Sequence, residues 1–189
     1  MGTTGRTELT DLELIQQYLK TQESSAFSIL YRRYSTKVYS KCISLLKEEA
    51  WAKDATQEIF IKIFLNLSKF GAQSKFSTWV YSITYNYCID LIRKKKKTTD
   101  IFSSEVDNPP DLIDDVPDEA LLTMQVDRLK VVLDALPVGD KAILLMKYQE
   151  DMQIKEIAVA LAKSESAIKM KIKRAKHKSQ EIYKSLYND

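Results

Sequence analysis

Between Lys69 and Lys97 the chain reads KFGAQSKFSTWVYSITYNYCIDLIRKKKK, where aromatic rings lead into five consecutive cations. Rings can stack on unpaired bases while Lys and Arg hold phosphates, so this mixture suits single-stranded nucleic acid. A turn-forming segment, Gly71 to Ser74, opens the run. In the helical pattern that follows, Phe76, Val80, Ile83 and Tyr87 share one face. Trp79 lies beside that face, and Tyr81, Tyr85 and Cys88 fall on another. Two apolar faces on one helix mean either deep burial or one face in the core and one at work, and the pattern leaves both open.

A second chemistry-bearing stretch lies near the end. Ile154, Ile157, Ala158 and Leu161 make a short amphipathic helix, Ala162 and Lys163 the turn, and Ser164 a cap for the next helix. In that helix Ala167, Ile168, Ile172 and Ala175 are expected to face inward, with Lys169, Met170, Lys173, Arg174 and Lys176 outward. Two short helices across a tight turn, the second cationic outside, have the layout of a helix-turn-helix. Such a helix can enter the major groove, with its first residues on base edges and later cations on phosphates. A solvated Lys-rich helix is the plainer alternative, and the paired inner helix argues against it.

The residue inventory excludes other classes. Cys42 and Cys88 are isolated and His177 is the only histidine, so there is no zinc spacing, disulfide framework or Cys/His pair. No acid–base constellation or phosphate loop supports an enzyme, and no cofactor or metal is expected. The thiols suit a reducing cytoplasm, and no apolar run reaches membrane-spanning length. The start MGTTGR has Arg6 where a myristoylation signal wants Ser or Thr, so residues 1–9 are expected to form a loose tail.

The elements that must hold these stretches read as all-α, with four Gly, four Pro and 44% apolar residues in 189. Thr10 and Glu13 can form a capping box for a helix carrying Leu14, Ile15, Tyr18 and Leu19. Ser24 and Ser25 offer a second cap, before Phe27, Leu30, Tyr31, Tyr34, Val38, Cys42 and Leu46 at three-to-four spacing. A third helix has Ala52, Ala55, Ile59, Ile63 and Leu67 as its inner stripe. Asp54, Gln57, Glu58 and Lys62 point elsewhere, and Phe60 and Phe64 either widen the core or face a partner. The aromatic run is the fourth helix, completing a first domain over residues 10–97.

Residues 98–120 break the periodicity with three prolines, and residues 98–126 hold 8 acids and no cation. Residues 1–97 carry 16 Lys/Arg against 9 Asp/Glu, and residues 127–189 carry 13 against 9. Two basic bodies joined by an acidic strap result. The strap is expected to be an extended linker, either a plain spacer or an acidic strand that mimics nucleic acid or lies in a basic channel. A second domain follows over residues 121–189. It opens on a helix carrying Leu122, Val126, Leu129, Leu133 and Leu136, with a further one over about Asp140 to Tyr148.

The order AFSILYRRYSTKVY, DATQEIFIKIF, KFSTWVYSITYNYCIDLIRKKKK, then LDALPVGDKAILLMKYQEDMQIKEIAVALAKSESAIKMKIKRAK resembles the sigma-70 family of bacterial sigma factors. More narrowly it resembles the extracytoplasmic-function group, which keeps only regions two and four. The resemblance implies a promoter-specificity subunit of RNA polymerase. Asp54, Gln57, Glu58 and Phe60 then dock on the clamp helices of the largest subunit, and region four meets the flap of the second-largest. It gives the melted minus-ten element to Phe70, Gln73, Ser74, Lys75, Phe76, Ser77, Trp79, Tyr81, Tyr85, Asn86, Arg93 and Lys94. The minus-thirty-five element falls to Ser164, Ser166, Lys169, Met170, Lys173 and Arg174. An anti-sigma factor is an expected partner, and the linker is expected to follow the RNA exit path.

Several positions depart from the family pattern. Ala162 stands where Gly or Asn is usual, Asp151 near a usual Gly, and Gln153 near a usual Ser or Thr cap. Lys171 and Lys173 replace frequent Arg, which implies weaker or shape-led reading of the minus-thirty-five element. A polymerase-independent helix-turn-helix regulator is the alternative, but it leaves the aromatic fourth helix unused. An interaction protein held by a regulatory partner is another, and is compatible with a resting state of the same factor.

Overall fold

Every regular element among the described residues of the computed structural model, residues 9–96 and 116–187, is helical. These residues fall into two compact units divided between Cys88 and Ile89, inside the fourth helix. All of the expected tail except Leu9, and most of the expected linker, lie outside the described residues.

The first unit begins with α1 (Asp11–Thr21), whose start obeys the capping-box chemistry read from Thr10 and Glu13. The Thr10 N–H donates to Glu13 Oε2 at 2.7 Å, and the Glu13 N–H donates to Thr10 Oγ1 at 3.3 Å. Leu14, Ile15 and Tyr18 are buried, whereas Leu19 is exposed. In α2 (Ser24–Leu46) the expected serine cap is absent. Glu23 is the extended residue at the boundary, so both serines already lie inside the first turn. Leu30, Tyr34, Val38 and Cys42 form its core stripe, and Leu45 rather than Leu46 completes it.

Helix α3 (Glu49–Asn66) packs against α2, and its expected stripe of Ala52, Ala55, Ile59, Ile63 and Leu67 is buried throughout. A 3-10 turn, Leu67–Lys69, then ends on Phe70, and Gly71 to Ser74 bend toward α4 (Phe76–Lys96). The left-handed residue of this bend is Ala72 (φ 52°), one place after the glycine the sequence offers.

In the second unit a short α5 (Glu119–Leu122) precedes α6 (Val126–Ala135), α7 (Val138–Leu144), a π turn over Leu145–Gln149, α8 (Ile154–Leu161) and α9 (Glu165–Tyr187). Helix α9 packs on α5, α6, α7 and α8. Its buried residues Ile168, Ile172, Ala175 and Ser179 recur at helical spacing. The expected stripe from Leu122 to Leu136 is out of phase at its start. Leu121 and Val132 are buried, while Leu122 and Val126 are exposed, because the break between α5 and α6 resets the rotation. Leu129 and Leu133 are half-buried, and Leu136 is buried as expected. Helix α7 also starts earlier than Asp140, with Pro137 before its first residue.

The turn between α8 and α9 is short, and Ala162 closes α8 at φ 50°, ψ 45°. Asp151, ahead of α8, is also left-handed at φ 52°. Both are positions where a Cβ strains the backbone, at about 1–2 kcal/mol for an L-residue. Replacement Ala162→Gly is therefore expected to stabilise the protein by about 1 kcal/mol despite the added entropy of the unfolded chain. The control Ala160→Gly, inside α8, is expected to destabilise it by about as much. Urea unfolding followed by circular dichroism measures both, and a loss of stability in Ala162→Gly contradicts the assignment of strain.

Candidate nucleic-acid interface

Three surfaces carry the residues singled out by their chemistry. On α3 the buried stripe forces the opposite side outward, so Asp54, Gln57 and Glu58 are all exposed. Ile61 and Leu65, 51% and 68% exposed, extend that face by the same three-and-four spacing. Sequence reasoning missed these two, although their spacing from Asp54 and Glu58 was there to be counted. Phe60 is instead core: it is 6% exposed and packs on Tyr31 at 4.6 Å between ring centroids. Phe64 is half out, edge-on to Phe27 at 5.1 Å and tilted on Tyr18 at 5.6 Å.

The bend before α4 sits on a cluster of rings. Phe70 lies edge-on to Phe76 at 5.3 Å and tilted on Trp79 at 5.6 Å, and Phe76 stacks on Trp79 at 5.7 Å. Beneath them Tyr34 of α2 meets Phe76 edge-on at 5.4 Å. The Tyr34 hydroxyl donates to Asp11, which also accepts from Arg33 at 2.7 Å. Burial first, and the Asp11 carboxylate second, push the Tyr34 hydroxyl well above the ordinary tyrosine range. Both ends of the loop are thus pinned, and Gln73 and Lys75 are exposed, with Ser74 half-exposed.

The rings of α4 divide in a way the sequence left open. Phe76, Tyr81 and Tyr85 are 6%, 7% and 0% exposed, so these three expected DNA residues are core. They lie on the side facing the rest of the unit, and the Lys41 ammonium of α2 sits over the Tyr81 ring at 3.9 Å from the centroid. Cys42 and Cys88 meet in the same core with sulfurs 3.7 Å apart. Ser77, Trp79 and Asn86 are half-exposed. Toward the end of α4, Lys94 is exposed and Arg93 pairs with Asp90 at 2.9 Å.

On the second unit, Ser164 caps α9 by accepting from the Ala167 N–H at 3.2 Å. The Gln153 N–H donates to Glu156 at 2.8 Å at the start of α8, so a glutamine fills the place of the usual Ser or Thr. Ser166 and Lys169 are exposed, and Met170, Lys173 and Arg174 half-exposed. Two expectations for α9 fail. Ala167 is exposed, because the inner stripe runs through Ile168 and Ile172, and Lys176 is buried. Its ammonium lies 2.8 Å from Asp118, whose same oxygen accepts from Tyr148 at 2.7 Å. Lys176 first, and Tyr148 next, hold the Asp118 carboxyl below its usual range. Lys171 also turns inward, 2.7 Å from the buried Asp140.

Both parts of the chain are similar to known proteins. The model of Sigma-70 region 2 matches residues 30–98, and that of Sigma-70 region 4 matches residues 127–178. The chain belongs to the extracytoplasmic-function group of the sigma-70 family. It is a factor that binds RNA polymerase and directs it to promoters. It is 29% identical over 167 residues to the ECF RNA polymerase sigma factor SigW of Bacillus subtilis, covering 84% of this chain and 89% of that protein. Against SigX of the same organism the identity is 27% over 147 residues, 76% of each.

The fold is also that of CnrH, solved in complex with the cytosolic domain of CnrY. The TM-score is 0.62 at 21% identity, over 93% of this chain and 97% of that one. RpoE of Bartonella quintana, solved with the anti-sigma factor NepR, gives 0.59 at 18% identity, over 84% and 96%. No helix of the described residues is long and apolar enough to cross a membrane.

The division of rings between core and surface has a direct consequence for mutants of this sigma factor. Tyr85→Ala is expected to cost about 3–5 kcal/mol through the cavity it leaves. Gln73→Ala, on the exposed loop, is expected to change stability by no more than about 0.5 kcal/mol. Thermal melting of the two variants checks this, and equal melting points contradict the assignment of Tyr85 to the core.

Proposed function

We propose a division of labour in which α3 takes the polymerase, the loop before α4 takes the melted minus-ten strand, and α9 reads the minus-thirty-five duplex. The observation that carries the reading is the order of the two matched regions on one chain. Asp54, Gln57 and Glu58 make the polar part of the polymerase contact, and Ile61 and Leu65 supply apolar area beside them. The clamp helices of the largest subunit are the proposed partner there, and the flap of the second-largest subunit for the second unit. Phe60 acts from beneath, by holding α3 against Tyr31.

Strand capture follows from the pinned loop. A base leaving the duplex costs a few kcal/mol of stacking and pairing, and the capturing pocket must return it. Gln73 and Ser74 offer hydrogen bonds to a base edge, Lys75 a phosphate contact, and Trp79 a ring for stacking at about 1–3 kcal/mol per base. Ser77 and Asn86 border this surface, and Arg93 and Lys94 offer cations to the backbone. Phe76, Tyr81 and Tyr85 support it from the core and touch no base. Holding unpaired bases pulls the melting equilibrium toward the open complex with no covalent step, so the factor catalyses nothing itself.

On α9, Ser164, Ser166, Lys169 and Met170 sit where base edges are reached, and Lys173 and Arg174 where phosphates are. Lys171 is withdrawn into its pair with Asp140, which leaves one cation fewer for the duplex. Weak, shape-led reading of the minus-thirty-five element follows. The factor works in the cytoplasm, where the polymerase is. A protein of the anti-sigma type is the proposed inhibitor, supported by the complex in which RpoE was solved. A regulator independent of polymerase is not favoured, since it leaves the exposed face of α3 without a role.

Transcription in vitro with bacterial core polymerase and a promoter library tests this reading. Initiation is expected to require the protein, and to fall at least tenfold in Gln57→Ala and in Trp79→Ala. Core affinity is expected to drop only in Gln57→Ala. If core polymerase neither binds the protein nor initiates with it, the reading fails.

A further inference from the structure

Beside the promoter-reading face of α9 lies a groove of about 350 Å³ lined by Lys147, Tyr148, Lys169, Met170, Lys173 and Lys176. Three of these, Lys169, Met170 and Lys173, belong to the proposed duplex contact. The groove already holds an anion of the chain's own. Asp118 enters it from the N-terminal side of α5, and one carboxylate oxygen takes both the Lys176 ammonium at 2.8 Å and the Tyr148 hydroxyl at 2.7 Å. The backbone on either side is tied down, since Val116 and Leu121 are 3% and 5% exposed. The carboxylate is therefore presented to the lysines by a fixed segment.

An ammonium and a hydroxyl converging on one anionic oxygen are also the donors that grip a backbone phosphate. A phosphate and Asp118 cannot share the groove, because two anions at such distance repel and would divide the same donors. We propose that Asp118 occupies a phosphate site on the reading face, so that the free factor carries a built-in competitor that promoter DNA must displace. The proposal rests on α9 as the duplex-reading helix. In the free protein the acid neutralises part of the field of Lys147, Lys169, Lys173 and Lys176. When a duplex binds, Lys176 and Tyr148 exchange the carboxylate for a phosphate oxygen, and Asp118 turns to solvent, where it is already half-exposed.

The test uses the full-length protein without polymerase and a fluorescent 20-base-pair duplex of mixed sequence, because phosphate contacts do not depend on sequence. Asp118→Asn is expected to bind it about threefold or more tightly, the scale of one exposed ion pair. The plot of log affinity against log salt is expected to be steeper than the parent's, because salt weakens the ion pair that a duplex must break in the parent. Asp127→Asn, with the same charge change at an exposed acid of α6, is expected to leave the salt slope unchanged.

Unchanged affinity and slope in Asp118→Asn overturn the proposal and leave Asp118 as an ordinary packing contact. An equal gain in Asp127→Asn overturns it too, by assigning the effect to bulk charge. The two readings fail separately. Loss of polymerase-dependent initiation strikes the functional assignment, while the duplex titration alone decides whether Asp118 competes.

Discussion

The first unit depends on the packing of Phe76 between Tyr34 and Phe70. Phe76 is the first residue of α4, so fixing its ring fixes both where that helix starts and where the preceding loop ends. Tyr34 can serve as its floor because its own hydroxyl is tied to Asp11 on α1, which Arg33 also holds. Each aromatic contact adds about 0.5–1.5 kcal/mol beyond the area it buries, and its preferred angles limit how the partners turn. Trp79 then closes over Phe70. A loop of small and polar residues, unable to hold a shape by itself, is thereby presented as a fixed surface.

The same logic sets the outward side of α3. Ala52 and Ala55 allow close approach to α2, and Ile59 and Ile63 fill the space beyond them. Once that stripe is buried, helical geometry leaves Asp54, Gln57, Glu58, Ile61 and Leu65 no place in the core. A mixed polar and apolar face of this kind is too apolar to be only a solvated surface, and too polar to be a core. It fits the docking role proposed for it.

In the second unit, charge decides which side of α9 is available. Lys171 and Lys176 are drawn inward by Asp140 and Asp118, and Lys141 by Asp134 at 2.7 Å. Buried cations need partners with good geometry, so the pairs of Lys171 and Lys176 fix the rotation of α9 as well as neutralising it, while that of Lys141 joins α7 to α6. Lys169, Lys173 and Arg174 remain toward the outside. The number of cations on α9 therefore overstates the charge that the free protein presents.

Much was legible in the sequence alone. Helical periodicity, the Thr10–Glu13 box, the buried stripe of α3 and the Ser164 cap are local features, governed by residues within a turn or two of one another. The left-handed turn at Ala162 could be anticipated from the family pattern, where Gly or Asn is usual, and that pattern also has Gly near Asp151. Tertiary structure alone decided which aromatic rings of α4 are core. Two apolar faces on one helix are equivalent until a neighbour covers one, and α2 covers the side of Tyr81 and Cys88 through Tyr34, Lys41 and Cys42. It also decided the pairing of Lys176 with Asp118, 58 positions apart. No periodicity encodes a contact between residues that distant, because it exists only once the chain has folded and charge must be matched inside it.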